Sequence, residues 1–242
     1  MPTLGIIGSG NIGAAVARLA VAAGIPVVVA NSRGPESLAG LIAELGPLAT
    51  AGTVDQAAEA GDFVLLSVPL TAYTAIPPAP LKGKTMLDTS NYYPFRDGRV
   101  AELDDEKLTT SELVQRHFDG VALVKAFNNI LAHHIPQLAR PSGASDRTAL
   151  PIASDDGHAK TEAAALIDRL GFDTVDAGPL AESWRFEPEA AAYTRLYLAN
   201  PATPNEPARS AGRAGIGRKA AVRARRDRAG AGSRPHFLTW RC

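Results

Sequence analysis

Short apolar runs alternate with longer amphipathic stretches through the first 180 residues of the chain. The runs LGIIG (4–8), PVVVA (26–30), DFVLLSV (62–68), KTMLDTS (84–90), ALVKAF (122–127), TALPIAS (148–154) and DTVDAG (173–178) are β-branched or aliphatic and strand-sized. Between them, Val16, Leu19, Ala20 and Ala23 fall at i, i+3, i+4 and i+7. Leu38, Leu41, Ile42 and Leu45 repeat that spacing, as do Ala163, Leu166, Ile167 and Leu170. Each set draws one apolar stripe along a helix, the stripe that packs on a sheet. Strand and helix in this rhythm predict an α/β fold with a doubly wound, mainly parallel sheet of seven strands.

The second helix carries its own start signal. Gly34 can cap it, Pro35 suits the first helical position, and Glu36 is favoured beside the positive end of the helix dipole. Arg33 therefore falls just outside a helix N-terminus. AIPPAPLKGK (75–84) reads as an extended surface connector, because proline lacks a donor and disfavours helix before it. The pattern divides the chain into a main domain (1–145), a smaller C-terminal βαβ/helical unit (146–206) and a tail (207–242).

Charge separates the tail from the rest. The formal net charge is zero, yet residues 1–206 hold 15 Lys+Arg against 24 Asp+Glu, while 207–242 hold 10 basic residues against Asp227 alone. The tail has almost no large apolar residue before Phe237 and cannot offset the entropy of ordering itself, so it is expected to be disordered. It either has no function, contacts the acidic body, or meets an anionic partner. The lone Cys242 excludes an intramolecular disulfide and a thiolate metal cluster. With no membrane-length apolar run and no basic leader, a soluble cytoplasmic protein is expected.

The first candidate chemistry is GIIGSGNIG, in which Gly8, Gly10 and Gly13 form G-x-G-x-x-G directly after a strand and at the start of a helix. In that context the pattern marks a Rossmann-like dinucleotide-binding domain. Gly8 allows the tight turn, Gly10 the approach of a pyrophosphate and Gly13 close helix–strand packing, with Ser9, Asn11 and Ile12 lining the phosphates at the helix N-terminus. At the end of the second strand, where a ribose-binding carboxylate is usual, stand Asn31, Ser32 and Arg33. A hydroxyl and a guanidinium suit a 2′-phosphate, so NADP(H) is expected over NAD(H). Ser37, one turn into the next helix, is a second candidate for the same phosphate.

The next strands end in SVPL, DTSNYY and KAFNN, all at the carboxyl edge where such sheets bind ligands. Ser67, Val68, Pro69 and Leu70 are placed beside the nicotinamide, with Thr89, Ser90, Asn91 and Tyr92 next along the rim. Ala126 and Asn128 are positioned for the nicotinamide amide or the acceptor. A carbonyl-reducing enzyme would also need a proton donor. Lys125 lies within a strand, and His133 and His134 are adjacent, a spacing that does not turn both rings to one metal. Asp156 reads as a helix cap, and Trp184 and Phe186 read either as a cover for the acceptor ring or as packing. No catalytic or metal-binding residue is assigned.

Together, GIIGSGNIG, NSRGPESL, SVPL, DTSNYY, KAFNNI and VDAGPLAESWRFE resemble the coenzyme F420-dependent NADP oxidoreductases and the reductase domains of the six-transmembrane epithelial antigen metalloreductases, over about residues 3–198. The resemblance implies hydride transfer between NADPH and a flavin or deazaflavin and a homodimer; with no membrane-length apolar run, no membrane partner is expected, nor a nucleic-acid one. By the same resemblance Ser9, Gly10, Asn11 and Ile12 would hold the pyrophosphate and Ser32 and Arg33 the 2′-phosphate. Val68, Pro69, Leu70 and the turn from Ala126 to Asn128 would surround the nicotinamide. Members using the deazaflavin often have further basic residues after SR, whereas Gly34 and Pro35 follow here, leaving Arg33 to carry most of the phosphate contact. Ring-to-ring hydride transfer needs proximity and alignment rather than a side-chain acid. Two other readings stay open: a reductase of a small imine or hydroxy acid, and a non-enzymatic NADP(H)-sensing regulator.

Overall fold

The structure is a computed structural model and describes residues 2–198; the basic tail lies outside the described residues. The strands are β1 (Leu4–Ile7), β2 (Val27–Ala30), β3 (Ala49–Ala51), β4 (Phe63–Leu66), β5 (Thr85–Asp88), β6 (Ala122–Lys125), β7 (Ala149–Ala153) and β8 (Asp173–Gly178). They form one sheet in the order β3-β2-β1-β4-β5-β6-β7-β8. Every neighbouring pair is parallel except β6 and β7, which meet antiparallel at the single bridge Lys125↔Ala153. The helices are α1 (Asn11–Ala22), α2 (Ala39–Leu45), α3 (Val54–Ala60), α4 (Pro94–Asp97), α5 (Ala101–Asp104), α6 (Thr110–His117), α7 (His134–Leu138) and α8 (Gly157–Arg169).

Alternation along the strands builds two cores. Leu4, Ile6, Val27, Val29, Leu65, Leu87 and Val124 face the side covered by α1, α2, α7 and α8. Ile7, Ala30, Val64, Leu66, Met86 and Leu123 face the side of α3, α5 and α6. Since both faces are covered, the central strands are apolar throughout, and each buried Leu, Ile or Val contributes about 1.5–3 kcal/mol.

The predicted α/β architecture holds, with the expected strand cores displaced by a residue or two at their ends. Three differences stand out. The sheet has an eighth strand, β3, whose three residues are too short to show periodicity. The second helix opens as a 3-10 turn (Pro35–Leu38) before α2, with Gly34 at a left-handed φ of 89°. The 75–84 connector is not simply extended: it contains a 3-10 turn (Ala79–Leu81), and Ile76 and Leu81 are buried beneath it. As the seven-strand pattern expected, β7 and β8 belong to the main sheet.

Close backbone contact fixes the seat of α3. A Cβ on Gly5 would lie 2.0 Å from the Ala57 carbonyl oxygen. Gly5→Ala should therefore destabilise the fold by roughly 1–3 kcal/mol or more, read by urea denaturation. Asp156 caps α8 by accepting from the amides of Ala159 and His158, which hold its carboxyl below the ordinary value of 3.8. Its folded-state pKa lies below the unfolded one, so its stabilising contribution is present above the unfolded value and is lost as pH falls through the folded one. Against Asp156→Asn, which keeps a capping oxygen, the wild-type advantage should be constant near neutrality and vanish in acid, measured by denaturation across that range.

Candidate active site

The residues picked out along the sequence converge because β1, β2, β4, β5 and β6 stop level with one another: Ile7 pairs with Ala30 and Leu66, Leu66 with Asp88, and Asp88 with Lys125. The loop after each strand opens onto the same edge. Between β2 and β4 the connections leave β1 on opposite sides, which is where a doubly wound sheet forms its crevice.

At the end of β1 the chain turns at Gly8, whose φ of 110° is left-handed and whose Cβ position lies 2.0 Å from the Ser67 carbonyl oxygen. Gly13 is held as tightly, with its Cβ position 1.9 Å from the Gly8 carbonyl oxygen. Gly10 differs: nothing lies within 4 Å of where its Cβ would be. It precedes α1 in extended backbone and offers no capping side chain, so the first amides of α1, from exposed Asn11 and half-buried Ile12, face outward. Two glycines serve the packing, and the third leaves a space at a helix N-terminus, where an anion is favoured.

Beside it, Asn31 organises the end of β2. Its Nδ2 donates to Ser9 Oγ (3.1 Å) and Ser37 Oγ (2.9 Å), and its Oδ1 accepts from the Arg33 amide (2.9 Å). Ser37 Oγ donates to the Gly34 carbonyl (2.7 Å), so this hydroxyl closes the loop. Ser32 and Arg33 are exposed, and the Arg33 guanidinium is carried at the tip of a loop wired back to the glycine turn.

Farther along the edge, Val68 is half-buried and Pro69 exposed, and Leu70 is buried at the start of a 3-10 turn (Leu70–Ala75). Asn91 and Asn128 form a reciprocal pair: Asn91 Nδ2 donates to the Asn128 carbonyl (2.8 Å), and Asn128 Nδ2 donates to Asn91 Oδ1 (3.0 Å). Ala126 is buried and its amide donates to the Asp88 carbonyl. Phe127, between them, is left-handed at φ 58° with its ring edge-on to Phe172, a conformation held only because the core fixes it. The turn from Ala126 to Asn128 is thus rigid where the sequence places it at the nicotinamide.

Sequence reasoning missed a buried charge network below this rim. Lys125, fully buried, joins Ser90, Ser111 and Glu187, and Ser111 Oγ donates to Asp88 (2.6 Å). It also missed Tyr193, whose hydroxyl meets that of Tyr93, with Arg96 lying 4.8 Å from the Tyr93 ring centroid. Burial and the Tyr93 contact push the Tyr193 phenol far above its usual pKa. No signal short of the tertiary contacts joins positions 100 residues apart. His134 is buried, with its pKa lowered by desolvation and by His133, while His133 stays exposed. Phe186 packs against Ala153 and Ala192, and Trp184 is half-buried beside Arg185. Among the described residues no group of three or more His, Cys, Asp or Glu could hold a metal ion, and no helix is long and apolar enough to cross a membrane.

Sheet order and glycine turn together define a Rossmann-type α/β protein. Residues 3–92 match the family model described as NADP oxidoreductase, coenzyme F420-dependent. The match places residues 3–92 in this oxidoreductase family. It is similar to hypothetical protein SMa0349 from Sinorhizobium meliloti, at 32% identity and a TM-score of 0.70, over 80% of this chain and 93% of that one. A structure from Arthrobacter sp. FB24, titled as an F420-dependent NADP-reductase, shares the fold at 22% identity and a TM-score of 0.63, over 76% of this chain and 88% of that one. Rat metalloreductase STEAP3 is 28% identical over 188 residues, which are 77% of this chain; the chain spans 36% of the length of that relative.

Gly10 and Gly13 separate packing from binding. Gly10→Ala should melt near the wild-type temperature yet lose NADPH affinity by about tenfold or more, because its methyl enters the space left for the pyrophosphate. Gly13→Ala should lower the melting temperature by several degrees, on the order of a 1–3 kcal/mol overpacking penalty. Thermal melts paired with fluorescence titration read both.

Proposed function

We propose that the chain binds NADP(H) at the carboxyl edge and passes a hydride between its nicotinamide and a flavin or deazaflavin ring in the same cleft. The observation that carries this reading is the pairing of an open glycine at a helix N-terminus with an exposed guanidinium on the adjoining loop. The donor set fits the dinucleotide: outward amides at Asn11 and Ile12 for the pyrophosphate, and Ser32 and Arg33 for the 2′-phosphate. Asn31 and Ser37 set the loop rather than the charge, holding Arg33 in register with Ser9.

Bound there, the nicotinamide supplies the hydride and the acceptor ring takes it up. The chain's own task is to orient and to exclude water. Val68 and Pro69 offer an accessible apolar flank, Leu70 and Ala126 are buried, and the Asn91–Asn128 pair lies at the same rim. Of the charged groups at the rim, Asp88 and Lys125 are fully buried and engaged with Ser90 and Ser111, while Arg96 donates to the Asn91 carbonyl (2.9 Å) and is paired with Asp97. A rim whose charges are buried or already paired favours alignment of two rings over proton transfer to a carbonyl.

A second reading, reduction of a small imine, gains support from the Tyr93 and Tyr193 hydroxyls, which could donate a proton beyond the rim. NADPH oxidation with deazaflavin, FMN, FAD and a cyclic imine offered in parallel discriminates: turnover with a flavin-type ring supports the first reading, and turnover with the imine alone the second. Arg33→Ala should weaken NADPH binding by roughly 1.5–3 kcal/mol, the worth of a charge-assisted contact, and leave NADH binding nearly unchanged. Calorimetric titration with both dinucleotides measures it, and equal weakening of the two would remove Arg33 from this role.

A further inference from the structure

One ammonium group joins three parts of the chain at the carboxyl edge. Lys125, the last residue of β6, is 0% exposed. Its Nζ donates to the Ser90 carbonyl (2.9 Å) and Ser111 Oγ (2.9 Å) and pairs with Glu187 Oε1 (3.0 Å), which uses all three of its N–H donors. Asp88, its cross-strand neighbour, accepts from Ser111 Oγ and from the Ser90 amide. Glu187 also accepts from the Thr110 amide (3.0 Å) at the positive end of α6. A buried cation is tolerated when paired and fully hydrogen-bonded, and this one spans the β5 rim, α6 and the C-terminal stretch.

That stretch crosses the end of the sheet. Asn128 Nδ2 donates to the Phe186 carbonyl (2.9 Å), Asn129 Nδ2 to the Ala192 carbonyl (2.8 Å), and the Thr194 amide to the Asn129 carbonyl (2.9 Å). The Tyr193 hydroxyl meets Tyr93 just past the β5 rim. Glu189, between these tethers, is a non-glycine residue at φ 67°, a conformation that persists where surrounding contacts impose it. Residues 186–194 form a strap tied at both ends to the turn that carries Asn128.

We infer that this strap is the wall of the cleft on its acceptor side, and that Lys125 is the positioning residue that sets its distance from the β5 rim. The inference rests on the proposed placement of the acceptor ring beside the nicotinamide. Lys125 touches neither ring; it acts through Glu187 and Ser90.

Lys125→Met leaves Glu187 without its cation and the Ser90 carbonyl without its buried donor, and could fail to fold, so the test uses Glu187→Gln in the full chain. The amide oxygen of Gln can still accept from Thr110 while the charge pairing is lost. Hydrogen exchange, NADPH titration and steady-state kinetics with FMN at saturating NADPH are compared with wild type. The expected result is exchange at least about fivefold faster across 187–191, a KM for FMN raised at least about fivefold with a smaller change in kcat, and an NADPH Kd within about twofold. Unchanged exchange would overturn the positioning role of Lys125. Faster exchange with an unchanged KM would overturn the strap as acceptor wall. A parallel loss of NADPH affinity would reduce the pair to a general structural role and overturn the inference. If wild type oxidises NADPH with no flavin or deazaflavin, the acceptor reading falls and the wall assignment with it, while exchange still decides whether Lys125 holds the strap.

Discussion

The common stopping line of β1, β2, β4, β5 and β6 is the constraint on which the rest depends. Parallel pairing brings Ile7, Ala30, Leu66, Asp88 and Lys125 to one level, so five loops from distant parts of the chain must open on one edge. A strand shifted by one residue would turn its alternate side chains into the opposite core, and the two cores leave no room for that. Register, fixed by burial, thereby places the candidate chemistry. Gly5, Gly8 and Gly13 tighten the same arrangement from below, where each would drive a Cβ to within about 2 Å of a carbonyl oxygen.

The polar groups at that edge divide into two kinds. Near β1 and β2 they are exposed and loosely engaged, as with Ser32 and Arg33. Near β5 and β6 the two charges Asp88 and Lys125 are buried and matched by fixed partners. An exposed cation keeps its electrostatic reach for a mobile anion, whereas a buried one must be matched by fixed partners or the fold loses stability. The first kind suits binding of a charged ligand and the second suits holding backbone in place, so one edge supports both tasks without one cation serving two partners.

How much of this was legible in the sequence follows the range of the contacts. The glycine turn, the strand order class and the loop after β2 were readable, because they depend on neighbours within a few residues and on periodicity. The cap at Asp156 was readable for the same reason. The short strand β3 and the 3-10 opening before α2 were not, since three or four residues carry no period. Lys125 illustrates the harder limit: within ALVKAF it is one charge in an apolar run, and only its contacts with Ser111 and Glu187 explain its presence. His134 is similar, indistinguishable from His133 by type and buried only through the packing of α7.

The same distinction explains where family likeness concentrates. The family model matches residues 3–92, which include the glycine turn, the Asn31–Arg33 loop, SVPL and DTSNYY. Within that span Asn31 alone joins Ser9, Arg33 and Ser37, so the loop after β2 is wired to the glycine turn by hydrogen bonds no more than 22 residues apart. Elsewhere along the edge the contacts run from Asn128 to Phe186, Lys125 to Glu187 and Tyr93 to Tyr193, pairs separated by about 60 to 100 residues. A local motif can be retained whole while distant segments drift, because its hydrogen bonds survive changes elsewhere in the chain. Contacts between distant segments must change on both sides together. The local and long-range parts of this edge can therefore diverge at different rates, so likeness in the first 92 residues bears on the glycine turn and the Asn31–Arg33 loop far more directly than on the contacts made by residues 93–194.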